Sequence, residues 1–326
     1  MTPGIPVIDI APALSGTLQD RQRVARAIDR TCTDIGFFTI TGHGVPVAVM
    51  DDLRAAAYAF FSRPAEEKLR AVHPAAGTPR GYRGPGIEAL AAGNGADTPP
   101  DLKEYYHFGR ERWPDEPYYT SDEGRRYFIP NLWPEHPPGF ARAAERYYAE
   151  MERLTGALMR LTALALGVGE TFFDDKIDRH ITAMRINHYP EQTTPPAPGQ
   201  LRAGAHTDYG LLTILNGENT PGGLQVLTRG GDWIDVETDP GTFVINIGDL
   251  LMRWTNDRWV SNTHRVVNPP AADAATARRL SIAFFHHPNY DAVVDCIAAP
   301  GEARYPPVRS GDYRDLKYRQ TRVAAA

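Results

Sequence analysis

The segment TAMRINHY at residues 182–189 opens a series of short apolar and β-branched runs that determines the fold class. Further runs of this kind follow at roughly regular spacing, at residues 211–215, 224–227, 242–247, 263–267 and 280–287. Glycine, proline, asparagine and aspartate separate the runs, which is typical of a β-sandwich or a jelly-roll barrel. The pattern therefore predicts a β-rich core over residues 179–290.

A long amphipathic helix is predicted before this core. Apolar side chains recur every three or four residues from Phe140 to Ala165, after Pro137 and Pro138 and before Gly167. This period places the apolar residues on one helix face, while prolines favour helix starts and glycines favour helix ends. We expect the helix, within residues 126–178, to brace a sheet.

The N-terminal region, residues 1–125, mixes helices with short strands such as residues 37–40. Residues 84–100 are rich in glycine, alanine and proline, which predicts a mobile loop that is either disordered or functional, such as a lid. Residues 291–326 form a C-terminal tail. Because no linker separates the helical half from the β-rich half, one compact body is expected.

Composition argues against several classes of protein. The 326 residues carry a formal net charge of −5, so no basic excess indicates nucleic acid or an anionic membrane as a partner. A run of about 18 apolar residues, as a transmembrane helix needs, is missing, and so is the apolar stretch of a signal peptide. Cys32 and Cys296 are too few for a disulfide framework. We expect a cytoplasmic protein that is a monomer or a weak homo-oligomer.

Three side chains in the predicted core are candidate metal ligands. His206 and Asp208 are two residues apart, so on a strand they point to the same side, and His264 lies on a distant run. Two histidines and one carboxylate form the facial triad of non-haem Fe(II) oxygenases, which leaves adjacent positions open. Taken alone, His-x-Asp also fits an ordinary polar strand end.

A second group of residues predicts carboxylate binding. Arg279 and Ser281 share one face of an apolar run, and the same alternation places Arg185, Asn187 and Tyr189 together. An arginine that points into a protein core is costly unless it meets an anion, and its planar fork suits a carboxylate. The alternative is a buried ion pair between Arg279 and an acidic residue on another strand.

Ordered motifs cover nearly the whole chain, at residues 5–10, 36–46, 81–82, 101–104, 131–134, 187–190, 206–208, 222–226, 246–250, 261–266, 279–281 and 288–290. In these motifs the sequence resembles the isopenicillin-N-synthase-like branch of the 2-oxoglutarate/Fe(II)-dependent dioxygenases. The resemblance implies a mainly β fold with flanking helices (α+β), in which an α-rich N-terminal region supports a double-stranded β-helix (jelly-roll) core.

The resemblance also implies cofactors and a reaction. By the family pattern the iron ligands would be His206, Asp208 and His264, and 2-oxoglutarate would be held by Arg279, Ser281, Tyr189 and Asn187. Asp249 would belong to a turn that supports the core. Dioxygen and 2-oxoglutarate would give succinate and CO2 while a C–H bond of a small molecule is hydroxylated, desaturated or used for ring closure.

Three alternatives stay open. Some members of this family use no 2-oxoglutarate, and their Arg-x-Ser pair holds a substrate carboxylate, as in oxidases of the isopenicillin N synthase type. The chain could also be a non-catalytic, metal-binding jelly-roll module, because a fold alone does not fix a function. A zinc hydrolase shares the ligand types but has no use for a carboxylate clamp.

The substrate pocket is the part of the site that the sequence defines least. Candidates are Phe285 and His287, which share the side of Arg279, together with Arg185 and Tyr106. Arg185 could meet a second carboxylate of the substrate or pair with an acidic residue outside the core. The chain has 31 arginines and 4 lysines, which indicates a GC-rich bacterial genome and favours a role in natural-product biosynthesis.

Overall fold

The computed structural model describes residues 4–75, 77–94, 98–299 and 301–321. Its strands are β1 (Val7–Asp9), β2 (Phe37–Thr41), β3 (Gly81–Arg83), β4 (Glu104–Gly109), β5 (Ala183–Tyr189), β6 (Ala203–His206), β7 (Leu212–Gly217), β8 (Leu224–Leu227), β9 (Trp233–Val236), β10 (Phe243–Ile247), β11 (His264–Val266), β12 (Arg279–His286), β13 (Val293–Val294) and β14 (Val308–Arg309). Its helices are α1 (Ala11–Ser15), α2 (Leu18–Asp34), α3 (Val47–Phe61), α4 (Ala65–Leu69), α5 (Pro117–Thr120), α6 (Phe140–Leu166), α7 (Asp174–Ile177), α8 (Asp249–Trp254) and α9 (Ser310–Thr321), with 3-10 helices at Leu90–Asn94 and Gly124–Arg126.

The large sheet combines strands from both halves of the chain, in the order β1-β2-β10-β7-β12-β5-β4-β3. The N-terminal strand β2 pairs antiparallel with β10, and β4 pairs antiparallel with β5. N-terminal strands therefore extend the sheet on both sides of the four central strands. The N-terminal region and the β-rich core share one sheet, as expected for a single compact body.

A smaller sheet, ordered β6-β11-β8-β9, faces the large one. Phe37 and Tyr189 of the large sheet lie in one buried apolar cluster with Val226 and Ile234 of the small sheet. Among the described residues, the large sheet ends at β1 and β3 and the small sheet at β6 and β9. The core is therefore a two-sheet jelly roll with open edges, and the predicted fold class is confirmed.

Helices cover the outer face of the large sheet. Ile28 of α2, Leu53 of α3 and Met151 of α6 pack in one apolar core with Phe284 of the sheet. Burial of this much apolar surface is the main stabilising contribution to the fold. The predicted bracing helix is confirmed as α6, which ends at Gly167 with a φ of 74°, a left-handed conformation that favours glycine.

Several elements were not predicted from the sequence. Strand β4 begins with a charged residue, β6 consists mostly of small residues, and α9 lies in the predicted tail. The segment at residues 84–100 includes the 3-10 helix Leu90–Asn94, and its residues 95–97 lie outside the described residues. Within the described part of the chain, every helix is too short or too polar to cross a membrane.

Candidate active site

His206 and His264 are cross-strand neighbours. Strand β6 ends at His206, β11 begins at His264, and the antiparallel register places these two residues opposite each other. Their ring centroids are 4.3 Å apart. Because directly opposite residues of an antiparallel pair project from the same face, two distant segments bring both imidazoles to one point.

Asp208 joins the two histidines from the loop after β6. Its Oδ1 lies 4.0 Å from Nε2 of His206, and its Oδ2 lies 3.8 Å from Nε2 of His264. Since β6 already ends at His206, strand alternation does not place this carboxylate, contrary to the argument from spacing. Two hydrogen bonds to Oδ2 hold it instead, donated by Thr213 Oγ1 at 2.6 Å and by Asn246 Nδ2 at 2.8 Å.

Backbone carbonyls orient both imidazoles for metal binding. Nδ1 of His206 lies 2.7 Å from the Gly204 carbonyl oxygen, and Nδ1 of His264 lies 3.2 Å from that of Asn262. A carbonyl can only accept, so each Nδ1 carries the proton and each Nε2 keeps its lone pair. One ligand atom from each of the three residues lies within 4.8 Å of the others. This two-histidine, one-carboxylate donor set fits Fe(II).

Electrostatics keep His206 and Asp208 in the protonation state that a metal requires. Burial, together with the neighbouring His264, lowers the pKa of His206 to about 3. Burial by itself would raise the pKa of Asp208, but both histidines and the hydrogen bonds from Thr213 and Asn246 lower it. At neutral pH the His206 imidazole is therefore neutral and the Asp208 carboxylate is ionised.

Asp249 connects both ligand segments to the C-terminal helix, a role that the sequence did not reveal. Its Oδ2 accepts a hydrogen bond from Thr207 Oγ1 at 3.3 Å, and its Oδ1 accepts one from Ser261 Oγ at 2.7 Å. Its backbone N–H donates to the carbonyl oxygen of Asp208 at 2.7 Å. Nζ of Lys317 in α9 lies 2.6 Å from Oδ2. The buried Asp249 carboxylate therefore holds the two segments that carry the candidate ligands in place.

A cavity of about 500 Å³ lies between the sheets beside the three ligands, and Arg279 forms part of its wall. The Arg279 side chain is 1% exposed, and its Nε donates to the Glu218 carbonyl oxygen at 3.3 Å. Among the residues that the structure describes, no group accepts a hydrogen bond from its two terminal nitrogens. Burial lowers the pKa of Arg279 while Tyr189 and Glu218 oppose the shift, and a guanidinium keeps its charge in proteins.

This environment fits a carboxylate ligand and not a structural ion pair. Within the described part of the chain, Arg279 forms no ion pair with an acidic side chain, because nearby Glu218 Oε2 accepts from the Leu280 N–H at 2.8 Å and Glu218 Oε1 pairs with Arg54 at 3.4 Å. A buried guanidinium with unsatisfied donors is stabilised by a ligand that brings two anionic oxygens. The alternative of a buried ion pair within the protein is therefore wrong.

Ser281, Asn187 and Tyr189 lie beside this guanidinium. The register of β12 against β5 pairs Arg279 with Tyr189 and Ser281 with Asn187. Asn187 Nδ2 donates to Ser281 Oγ at 3.4 Å, whereas Asn187 Oδ1 has no partner. The Tyr189 ring centroid lies 5.4 Å from the guanidinium carbon. The structure thus brings all four predicted residues together on the cavity wall.

Ion pairs link the part of the cavity wall that is formed by β5, the residue before β4 and the segment at residues 84–100. Nη1 of Arg185 lies 3.0 Å from both carboxylate oxygens of Glu88, which belongs to the segment at residues 84–100. Nζ of Lys103 lies 2.8 Å from Glu88 and 3.1 Å from Asp101. Asp101 Oδ1 in turn accepts from the backbone N–H of Gly204 at 3.0 Å, on the strand that carries His206. Arg185 therefore pairs with an acidic residue of the protein.

Most of the predicted pocket residues line the cavity, namely Arg185, Phe285 and His287. The prediction for Tyr106 is wrong, because its side chain points to the other side of β4 and its hydroxyl donates to the Leu132 carbonyl oxygen. Strand alternation turns the neighbouring Tyr105 and His107 into the cavity instead. The alternation that selects Tyr105 and His107 is visible in the sequence only if residues 104–109 are a strand, and β4 was not predicted from the sequence.

Family models match both halves of the chain. Residues 5–136 match the model described as non-haem dioxygenase in morphine synthesis N-terminal. Residues 181–288 match the 2OG-Fe(II) oxygenase superfamily.

Individual relatives match over most of their length. The 2-oxoglutarate-Fe(II) type oxidoreductase hxnY of Emericella nidulans is 34% identical over 325 residues, which cover 97% of this chain and 90% of the relative. The validamycin A dioxygenase of Streptomyces hygroscopicus subsp. limoneus is 32% identical, over 96% of this chain and 85% of the relative. The crystal structure of a full-length Neurospora crassa protein in complex with alpha-KG and thymine has a TM-score of 0.83 and 32% identity, over 97% of this chain and 96% of that one.

The jelly roll, the two-histidine, one-carboxylate site and the buried arginine on the wall of the neighbouring cavity are the features of a non-haem iron oxygenase. The chain belongs to the 2OG-Fe(II) oxygenase superfamily, and the resemblance found in the sequence is confirmed. It is an oxidoreductase that uses Fe(II), 2-oxoglutarate and dioxygen and acts on a small molecule.

Proposed function

We propose that His206, Asp208 and His264 bind the Fe(II) ion and that Arg279 binds the distal carboxylate of 2-oxoglutarate. Ser281 and Tyr189 complete the carboxylate site, and Asn187 lies toward the other end of the cosubstrate. One observation carries the proposal: the terminal nitrogens of a buried arginine have no partner, on the wall of the cavity that the three ligands also line. A zinc hydrolase would need the metal ligands but not this arginine.

The proposed reaction oxidises an unactivated C–H bond of a small molecule while 2-oxoglutarate gives succinate and CO2. When bound, iron and 2-oxoglutarate supply the oxidising chemistry with dioxygen. The residues of this chain bind and orient the reactants and exclude water, and Phe285 and Tyr105 contribute apolar surface to the cavity. Hydroxylation, desaturation and ring closure all fit this arrangement.

The substrate is proposed to be an intermediate of natural-product biosynthesis. A relative named validamycin A dioxygenase supports this assignment, and the Neurospora crassa relative was crystallised with thymine, which is also a small molecule. A cavity of about 500 Å³ lies within the range of small-molecule sites. A cytoplasmic location and a monomeric or weakly associated state belong to the same proposal, and the free cysteines Cys32 and Cys296 support a reducing compartment.

Succinate release tests the proposal directly. The protein is loaded with Fe(II) and 2-oxoglutarate without oxygen and mixed with a panel of candidate natural products. Oxygen is then added, and succinate and oxidised product are measured together. We expect equal amounts of both from the native protein and neither from Asp208→Ala. The matched control is Arg146→Ala, because Arg146 is 52% exposed on α6 and pairs with Asp52 at the surface, far from the site in sequence and on another element.

Two outcomes would contradict the proposal. Substrate oxidation with oxygen uptake but without succinate would identify an oxidase that does not use 2-oxoglutarate. Full turnover by Asp208→Ala would show that this carboxylate is not an iron ligand.

A further inference from the structure

Three arginines lie near the His107 imidazole at one end of the cavity, and none of them forms an ion pair with a described acidic residue. Arg80 and Arg83 line the cavity, and Arg314 packs against Tyr318, which lines it too, with the guanidinium carbon 4.9 Å from the ring centroid. We refer to Arg80, Arg83 and Arg314 as the arginine cluster. Within the described part of the chain, none of the three has a carboxylate oxygen within 4.0 Å.

The hydrogen bonds of the cluster satisfy donors but do not neutralise charge. Arg80 Nε donates to the Ile129 carbonyl oxygen at 3.1 Å, and Arg83 Nη2 donates to that of Thr78 at 2.7 Å. Nε of Arg314 is buried and has no partner. Arg80 and Arg314 are only 4% and 7% exposed, so solvent screens their charges weakly.

The acidic residues near this end of the cavity are engaged by other groups, since Glu111 accepts hydrogen bonds from Asn131 and Trp133 and Asp315 pairs with Arg126. Glu88 binds Arg185 and Lys103, and Asp101 binds Lys103. The cations in and beside this end of the cavity are Arg80, Arg83, Lys103, Arg185 and Arg314, and the carboxylates are Glu88, Asp101 and Glu111. Positive charge therefore exceeds negative charge at this end.

The pKa of His107 shows the effect of the same positive charges. Burial lowers its pKa well below the ordinary value, and Arg185, Arg80, Arg314 and Arg83 lower it further. His107 is therefore neutral at physiological pH. It adds no charge, and its ring lines the cavity.

The cluster is too far from the proposed 2-oxoglutarate site to share its carboxylate. The register places Arg83 opposite Tyr105, Tyr105 opposite Asn187, and Asn187 opposite Ser281. The Cα atoms of Arg83 and Ser281 are therefore three strand spacings apart, a distance of about 14 Å. A cosubstrate bound at Arg279 and Ser281 therefore leaves the charge of the arginine cluster uncompensated.

Resting on the proposed function, we propose that the substrate carries a carboxylate and that the arginine cluster binds it, with Arg83 in direct contact. Arg83 lines the cavity and is the least buried of the three. Arg80 and Arg314 are more deeply buried and add to the positive electrostatic potential at this end of the cavity. A carboxylate suits a single planar guanidinium fork that reaches the ligand. Bound there, it points the rest of the molecule along the sheet toward the iron ligands.

Binding of three matched probes tests the inference. Phenylacetate, phenylacetamide and phenethylamine share a ring and a chain but differ in charge, and each is titrated calorimetrically without oxygen. The protein is first loaded with Fe(II) and titrated with 2-oxoglutarate, so that failure of the proposed function appears as lack of cosubstrate binding. With 2-oxoglutarate bound, phenylacetate is expected to bind about ten-fold tighter than phenylacetamide, because one charge-assisted hydrogen bond contributes binding free energy of that order.

Two variants assign the preference to the cluster. Arg83→Gln keeps an amide donor for the Thr78 carbonyl and is expected to bring the affinity ratio of phenylacetate to phenylacetamide close to one. Arg146→Gln removes an exposed cation on α6 and is expected to leave the ratio unchanged. Normal 2-oxoglutarate binding with equal affinity for all three probes, or with no probe bound, would overturn the inference and leave the proposed function intact.

Discussion

Replacing Arg279 with methionine should separate cosubstrate binding from folding. The side chain is 1% exposed and both terminal nitrogens lack partners, so the protein without 2-oxoglutarate bears the cost of a buried, unsatisfied cation. Methionine is unbranched, shorter than arginine and has no donors. Removing unsatisfied donors should raise the free energy of unfolding by about 1 kcal/mol.

The same substitution should weaken 2-oxoglutarate binding strongly. Loss of two charge-assisted hydrogen bonds, together with a carboxylate left in a buried site, costs about 3–4 kcal/mol. At 1.4 kcal/mol per factor of ten, the dissociation constant should rise by about 10²–10³. The assay is anaerobic calorimetry with Fe(II), paired with thermal unfolding with and without 2-oxoglutarate. The native protein should be stabilised by the ligand and the variant should not.

Arg202 provides the control, because it is equally buried but uses its donors differently. Its Nη1 donates to the carbonyl oxygens of Pro221 and Gly222 at 3.0 and 2.8 Å, and its Nη2 donates to that of Ala277. Arg202→Met should therefore lower thermal stability and affect 2-oxoglutarate affinity much less than Arg279→Met. If Arg279→Met lowered stability as Arg202→Met does and still bound 2-oxoglutarate normally, the assignment of Arg279 would be refuted.

Three further predictions concern the metal ligands and their supports. Asp208→Ala should abolish Fe(II) binding in anaerobic titrations while the far-UV circular dichroism spectrum stays native, and retained affinity would count against the ligand assignment. Asp249→Asn should weaken Fe(II) binding by about 10–100-fold, and Lys317→Met should weaken it less, with rescue by Lys317→Arg. Native Fe(II) affinity in Asp249→Asn would show that Asp249 has no effect on the metal. Burial opposes the shift, but Arg185 and Lys103 lower the pKa of Glu88 to about 2, below its unfolded value of about 4.3. The contribution of Glu88 to stability is therefore complete above the unfolded pKa and is lost as the pH falls toward 2. Urea titrations should show that Glu88→Gln has a lower free energy of unfolding than the native protein at pH 7, and that this difference becomes smaller in acid. A difference that becomes larger in acid would contradict the prediction.

Regular patterns in the sequence predicted many of the local elements, and the spacing of His206, Asp208 and His264 singled them out as candidate metal ligands. The 3.6-residue period marked α6, and short β-branched runs marked most strands of the jelly roll. Three elements had no such signal, because β6 consists of small residues, β4 opens with Glu104, and α9 carries few apolar side chains. The omission of β4 caused the error at Tyr106, since alternation along β4 selects Tyr105 and His107 for the cavity.

The contacts that support the site depend on tertiary structure and have no local signature. Glu88 lies 97 residues before its partner Arg185. Asp249 reaches Thr207 across 42 residues and Ser261 across 12, and Lys317 comes from another helix. The local sequence around Asp249 indicated a turn, but only the packed fold shows which polar groups its carboxylate meets.

The position of β2 and β4 has a consequence for any attempt to dissect this protein. These N-terminal strands cover the outer edges of β10 and β5, which are both buried. A fragment that begins after α6 would expose two rows of unpaired backbone N–H and C=O groups flanked by apolar side chains, a template for self-association. Shortened or chimeric oxygenases built on this chain should therefore precipitate unless they carry both N-terminal strands along with the catalytic half.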